Sequence, residues 1–248
     1  MKFTAKYTAR WHDTDANRVV RAGKLVEYMQ ETANRQCEHS GIPLDALRDE
    51  KGLGFILGSI SLKIDSPLHA YEDFEVRTWC KRARGYIFNR YFEIARDGSV
   101  IASASTVWVL IDVKEKKMVR AEAVEWMHDS FFYDDPISPD ALPPKARIPR
   151  DVELYEIGKR TILYSDIDYN MHMNNTRYPD MICDFIPEMT ADLPLRVHNM
   201  SLTYIKESPL GETLTLLRGE TDENVILIRT QNCLGETCLE ATVSLCQI

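Results

Sequence analysis

No run of apolar residues in this chain approaches the length of a membrane span. The first fifteen residues, MKFTAKYTARWHDTD, turn polar before the apolar region of a secretory signal forms, and a Ser/Arg-rich organelle leader is lacking as well. None of the six cysteines, Cys37, Cys80, Cys183, Cys233, Cys238 and Cys246, sits in a CxxC pair, which argues against a zinc site. They read as reduced thiols of a cytoplasmic protein, most of them small core residues. Excess positive charge is missing too. The formal net charge is −8 and the pI about 5.3, which argues against nucleic-acid binding as the main role while leaving room for a local basic patch. What is present is an ordinary 44% of apolar residues over 248 positions, enough for one large domain or two small ones.

The most unusual stretch is Tyr164 to Tyr178, YSDIDYNMHMNNTRY. Asp166, Asp168, Asn170, His172 and Asn174 fall on alternate positions, so an extended chain would put all five on one face. Ile167, Met171 and Met173 are then expected to point toward the packed side. The competing reading is an Asn/Asp-rich turn.

The stretch has a partner. HDTDANRVVRAG, beginning at His12, aligns with it without a gap at an offset of 153 residues. Asp13, Asp15 and Asn17 stand where Asp166, Asp168 and Asn170 do, and Val19 falls at the place of His172. A helical pattern follows each copy. In the first, Leu25, Met29, Ala33 and Cys37 share a face, ended by Ser40-Gly41-Ile42-Pro43. In the second, Tyr178, Met181, Ile182 and Phe185 do so, ended by Pro187. Strand signals follow, at 55–65, 73–82, 86–96 and 99–112 in the first copy and at 197–207, 213–219, 224–232 and 236–247 in the second. Residues 4–12 read as a strand before the first motif. Asp97-Gly98 and Leu234-Gly235 mark hairpin turns. Asp65-Ser66-Pro67-Leu68 is matched by Glu207-Ser208-Pro209-Leu210, which pairs Glu207 with Asp65.

Five of the eleven prolines lie between Pro136 and Pro149, the composition of a connector. A short helix is expected over Ala121 to Phe132, and Lys114 to Lys117 reads as a solvated turn. The chain is thus expected to be α+β: an N-terminal unit over 1–135, a proline-rich linker over 136–150, and a C-terminal unit over 151–248. A helix wrapped by an antiparallel sheet is the hot-dog arrangement. Two tandem copies would join their sheets edge to edge and cover two otherwise open edges.

Asp168-x-Asn170-x-His172-x-Asn174-Asn175-x-x-Tyr178, followed by Lys206-Glu207-Ser208, resembles the acyl-acyl-carrier-protein thioesterases, the plant plastid enzymes and their bacterial relatives. The resemblance covers nearly the whole chain and implies hydrolysis of fatty acyl thioesters that ends chain elongation. No cofactor or metal is implied. Asp168, Asn170, His172 and Glu207 are the implied catalytic set, with Glu207 as base for water, His172 and Asn170 orienting it, and Asp168 fixing the imidazole tautomer. A carboxylate beside an apolar strand would suit the base. Ser208 takes the place of a cysteine in the plant enzymes. Asn174 and Asn175 open a helix whose amides suit an oxyanion.

The first copy, with Val19 and Asp65, is expected to be catalytically empty and to line an acyl pocket through Leu25, Met29, Phe55, Ile56 and Leu57. The expected partner is acyl carrier protein with its phosphopantetheine-linked chain. Arg177 and Lys206 would lie near the phosphate, and Lys81, Arg82 and Arg84, with Arg77 and Arg90, would form a basic patch on one hairpin. Other readings stay open at this point: an acyl-CoA thioesterase, a hydratase, or a non-catalytic acyl-binding module. Homodimerisation is left open too.

Overall fold

The computed structural model describes residues 2–124, 131–135, 137, 141–190, 194–221 and 225–248. The first half contains β1 (Phe3–Thr8), α1 (Ala22–His39), α2 (Leu44–Lys51), β2 (Leu53–Ile64), β3 (Asp73–Cys80), β4 (Ile87–Arg96), β5 (Ser99–Asp112) and the short β6 (Lys117–Met118). The second contains β7 (Tyr155–Thr161), α3 (Arg177–Asp184), β8 (Leu195–Tyr204), β9 (Thr213–Glu220), β10 (Ile226–Gln231) and β11 (Thr237–Gln247). All strands belong to one antiparallel sheet in the order β1-β3-β4-β5-β2-β8-β11-β10-β9-β7, with β6 beside β5. This is the tandem hot-dog expected from the repeat.

The two halves meet at β2 and β8, paired over Ser59↔Thr203 to Lys63↔Asn199. Ser61 faces Ser201 at the centre of that seam, their hydroxyl oxygens 3.3 Å apart. Ile60, Leu62, Met200 and Leu202 on the seam strands are each at most 2% exposed, so the junction is continuous core. α1 lies against the sheet of the first half. Its Leu25, Val26, Met29, Ala33 and Cys37 recur at helical spacing and are buried. Each such large apolar side chain taken from water contributes about 1.5–3 kcal/mol. α3 has eight residues against the eighteen of α1, and the 3-10 turn Pro187–Thr190 follows where the first half has α2. Asp97 and Gly98, with φ of 51° and 79°, make the tight β4–β5 turn that their dipeptide predicts.

Equivalent backbone bonds set the register of the repeat. Asp15 N–H donates to Val19 O as Asp168 N–H does to His172 O, which keeps the offset of 153. Past the helices the offset becomes 140. Asp65 and Ser66 N–H donate to Ile101 O as Ile205 and Lys206 N–H donate to Cys238 O, and Val19 bridges His69 as His172 bridges Pro209. Glu207 therefore corresponds to Pro67, not to Asp65, and Ser208 corresponds to Leu68. The shared Ser-Pro-Leu string is displaced by two residues between the halves.

Two further expectations change. The strand expected over 4–12 ends at Thr8 and gives way to a 3-10 turn over Trp11–Asp13. Of the helix expected over 121–132, Ala121–Ala123 forms a 3-10 turn, and residues 125–130 lie outside the described residues. Most of the proline-rich linker, 136–150, is described from residue 141 onward and carries no α-helix or strand there.

Candidate active site

The Tyr164–Tyr178 stretch is not extended. It opens with a 3-10 turn over Tyr164–Asp166, and Ile167 then bridges Met173 across a tight reversal. Asp166 is buried. It accepts from Leu163 N–H at 2.8 Å and from the Arg160 guanidinium at 2.8 Å, which closes the turn. Asp168 Oδ1 accepts from Asn170 N–H at 2.8 Å, an Asx turn, and Met171 sits in the left-handed region at φ 64°. Asp168 therefore orders the backbone, and no hydrogen bond joins it to the imidazole of His172. The five polar residues do not share a face.

The reversal carries His172 to the strand end occupied by Glu207. His172 Nε2 lies 3.4 Å from Glu207 Oε2, with side chains 33% and 62% exposed. Glu207 is thus open to solvent rather than sunk against an apolar strand. Asn170 is drawn to the other half, its Oδ1 accepting from Arg48 Nη1 of α2, whose guanidinium also lies over the Tyr169 ring at 4.9 Å. α2 of the first half closes one side of the second half's turn.

Asn174 and Asn175 lead into α3. Asn174 N–H donates to Asp166 O at 2.8 Å, and Asn174 Oδ1 accepts from Thr176 N–H at 2.9 Å and from its hydroxyl at 2.8 Å. Asn175 O accepts from the Tyr204 hydroxyl at 3.0 Å, while the Asn175 N–H has no protein acceptor among the described residues. Ser208 is fully buried, and its Oγ accepts from the Tyr178 hydroxyl at 3.0 Å. Burial pushes the Tyr178 phenol up to about 12, so it remains a donor. Arg177 lies 3.8 Å from Glu27, and Lys206 is paired with Glu236.

The first half repeats this frame with different side chains. Asp13 is buried and bonded by Arg10 and Tyr28, Asp15 Oδ1 accepts from Asn17 and Val19 N–H, and Arg18 has φ 63°. Val19, Pro67 and Leu68 replace His172, Glu207 and Ser208. Here a cavity of about 290 Å³ opens between the turn and the second half, reached by Val19, Leu25, Leu68, Ile186 and Arg196.

A second cavity, of about 70 Å³, lies under α1 and α2, lined by Ala33, Leu44, Phe55, Phe88, Trp108 and Phe131 among others. Of the residues expected to line an acyl pocket, Phe55 is in this wall and Leu25 in the other cavity. Met29 and Leu57 are buried at 1% and 2% exposure and line neither, while Ile56 is 41% exposed. Arg90, placed on the basic hairpin by sequence, is buried. Arg77 is held by Glu75 and Glu93, and Lys81, Arg82 and Arg84 are exposed. Sequence reasoning missed Arg48 as a site neighbour, and it quoted Tyr178 in the motif without its bond to Ser208. Arg48 lies on a short charged helix that periodicity does not reveal. Among the described residues no cluster of His, Cys, Asp and Glu could hold a metal ion, and no helix is long and apolar enough to cross a membrane.

Residues 1–125 match the acyl-ACP thioesterase N-terminal domain, and residues 151–241 match its C-terminal domain. The chain belongs to the acyl-ACP thioesterase family. It is 22% identical over 247 residues to a chloroplastic palmitoyl-acyl carrier protein thioesterase of Gossypium hirsutum, covering 93% of this chain and 59% of that protein. It is likewise 22% identical to the chloroplastic oleoyl-acyl carrier protein thioesterase 2 of Arabidopsis thaliana, covering 95% of this chain and 67% of that protein. The chain thus spans little more than half the length of the cotton protein. An acyl-ACP thioesterase structure from Bacteroides thetaiotaomicron superposes with a TM-score of 0.85 at 23% identity, covering 98% of this chain and 96% of that one. The 12:0-ACP thioesterase of Umbellularia californica superposes at 0.84 with 15% identity, covering 100% and 98%. These likenesses fix the double hot-dog fold for this thioesterase-family chain.

Proposed function

We propose that this protein hydrolyses fatty acyl-acyl carrier protein to free fatty acid and carrier thiol, at the site built by the second-half turn. The observation that carries the reading is the approach of His172 Nε2 to Glu207 Oε2, 3.4 Å, at the mouth of a turn that the first half repeats without either side chain.

Glu207 is exposed enough to hold a water, and His172 is placed to orient both. The carboxylate takes a proton as the water oxygen bonds to the thioester carbon. The Asn175 N–H, at the entry to α3, can donate to the carbonyl oxygen as charge develops on it. The C–S bond then breaks, and the sulfur leaves as the protonated thiol of phosphopantetheine. Asn170 and Asp168 hold the turn, the first through Arg48 and the second through the Asn170 amide. Ser208 is poorly placed as a nucleophile, being buried with Tyr178 on its oxygen.

The partner is the acidic carrier, met by the exposed Lys81, Arg82 and Arg84. Arg177 and Lys206 lie beside the site, each shared with a carboxylate. The six free cysteines support a reducing compartment such as the cytoplasm.

The test is thiol release from acyl-carrier and acyl-CoA substrates. Glu207→Gln and His172→Ala should each lower kcat about 10²–10⁴-fold with the fold intact. Unchanged rates in both would overturn the reading, and faster turnover of acyl-CoA than of acyl-carrier would reassign the substrate.

A further inference from the structure

Three arginines are less than a tenth exposed: Arg90, Arg196 and Arg218. Arg218 is paired with two carboxylates, Glu188 and Glu220. Arg196 donates to the main-chain oxygens of Ile64, Val197 and Asp65. Arg90 has neither a carboxylate, which Arg196 also lacks, nor main-chain oxygens as acceptors among the described residues. Its Nη1 donates to Gln36 Oε1 at 2.5 Å and to Thr78 Oγ1 at 3.1 Å, its Nη2 reaches Cys37 Sγ only at 4.0 Å, and Phe131 presents a ring face 5.4 Å away. No carboxylate pairs with it among the described residues. A desolvated cation held by neutral groups alone is costly, and chains keep one where something else uses the charge.

The fold does not require this charge. Arg90 on β4 pairs with Cys80 on β3, and the equivalent pair in the second half is Ile226 with Glu220. An apolar residue therefore serves the same place in the sister sheet, where Ile226 is 5% exposed. Nor is the charge on the protein surface. Arg90 lines the 70 Å³ cavity whose other walls are almost wholly apolar, including Ala33, Leu44, Phe55, Phe88 and Trp108.

That cavity adjoins the site. Leu44 in its wall and Arg48, which holds Asn170, lie four residues apart on α2, about 6 Å along the helix axis. An acyl chain that entered at the His172–Glu207 mouth and ran beneath α2 would meet this cavity, and Arg90 stands in its lining as the one charged group.

We propose that Arg90 is a specificity-determining residue for the acyl chain: its unpaired buried charge disfavours a plain hydrocarbon tail long enough to reach it and favours a tail of that length ending in an oxygen function. This rests on the thioesterase reading. A terminal hydroxyl would accept from guanidinium N–H groups that a methyl group would leave without an acceptor.

The experiment compares carrier-linked hexanoyl, octanoyl, decanoyl and dodecanoyl chains with their ω-hydroxy counterparts, as kcat/KM. An all-apolar pocket would prefer the plain chain at every length, because the hydroxyl would be buried without a partner. The native protein is expected to prefer the ω-hydroxy chain at one or more lengths. Arg90→Leu is expected to reverse that preference by tenfold or more and to raise kcat/KM for the longer plain chains. Plain chains preferred at every length by the native protein would overturn the proposal, and so would an Arg90→Leu variant that folds and keeps the native ranking. The native comparison decides alone if Arg90→Leu fails to fold. Hydrolysis of none of the eight substrates would overturn the thioesterase reading and the proposal with it, an outcome distinct from hydrolysis with the wrong ranking.

Discussion

His172, Glu207 and Ser208 are replaced in the first half by Val19, Pro67 and Leu68, while the turn around them is retained in both. What separates the two copies is therefore side-chain chemistry on a common backbone. The conserved-in-place aspartates, Asp13 and Asp166, belong to the backbone part, because each is buried and accepts from an arginine three or six residues before it and from a main-chain amide. Asp13 also accepts from Tyr28 at 2.6 Å. Burial pushes the Asp13 carboxyl up, but the bonds from Arg10 and Tyr28 outweigh it and hold the group below the usual carboxylate range. A folded pKa below the unfolded one gives stability that is present at neutral pH and is lost as pH falls through the folded value. Asp13→Asn should therefore lower stability by about 1–3 kcal/mol at pH 7, and the gap to the native protein should close as melting is repeated below about pH 4. A gap that stays constant with pH would assign the loss to packing. Ser208 gives the second residue-scale expectation. Ser208→Ala should keep hydrolysis within about tenfold of native, since a general-base route asks nothing of its hydroxyl. An acyl-enzyme mapped to Ser208 after denaturing quench would replace water attack with covalent catalysis.

At the scale of elements, legibility in the sequence follows the strength of the repeating signal. β5 is readable to the residue because the run from Ser99 to Asp112 is rich in β-branched residues, and the Asp97-Gly98 turn fixes its start. α1 was readable from its long buried face. α2 was not, because LDALRDEK buries only Leu47 and carries five charges on eight residues. The candidate-site turn is misleading for a different reason. Alternation of polar and apolar residues is a strand signal only where the backbone is extended, and here Asp168 and the left-handed Met171 reverse the chain after a few residues. The register that the shared Ser-Pro-Leu string implies is two residues off at Glu207. A slip of two leaves every side chain on its own face, so hydrophobic pattern alone is blind to it, and only the ladder bonds reveal it. The meeting of α1 and α3 was beyond sequence reach altogether. A Cβ on Gly23 would lie 2.4 Å from Asp180 Oδ1, so glycine is what lets the two helix starts approach. Gly23→Ala is expected to destabilise by about 1–3 kcal/mol by chemical denaturation. Pairing it with Asp180→Ala should recover part of that loss in a double-mutant cycle. Strict additivity would mean that the contact is not the cause.

Across the whole molecule, the sheet runs unbroken from β1 to β7 through the β2–β8 seam, so each half borrows from the other. The second half supplies the polar turn and the first supplies α2, whose Arg48 reaches Asn170 and whose Leu44 faces the cavity beneath. A thioester bound there would have its reacting end on one copy and its chain in the other, which gives a physical use for retaining a copy with valine at the place of His172. The same division bears on carrier docking. The chain has a net charge of −8, so an acidic carrier is repelled at long range and must be met by local positive charge. Lys81 and Arg84 are exposed on the first-half hairpin beside Arg82, whose guanidinium lies 5.2 Å from the Phe132 ring centroid. Salt screens exposed charges over about 10 Å at 0.1 M, so it should weaken both effects, and the sign of the net response reports which governs encounter. If the hairpin docks the carrier, KM for acyl-carrier should rise several-fold with added salt, while KM for a short acyl-pantetheine, which lacks the protein partner, should move little. Lys81→Glu with Arg84→Glu should reproduce the high-salt KM at low salt without lowering kcat. A falling KM with salt, or a charge-reversed variant with native KM, would place the carrier on another face.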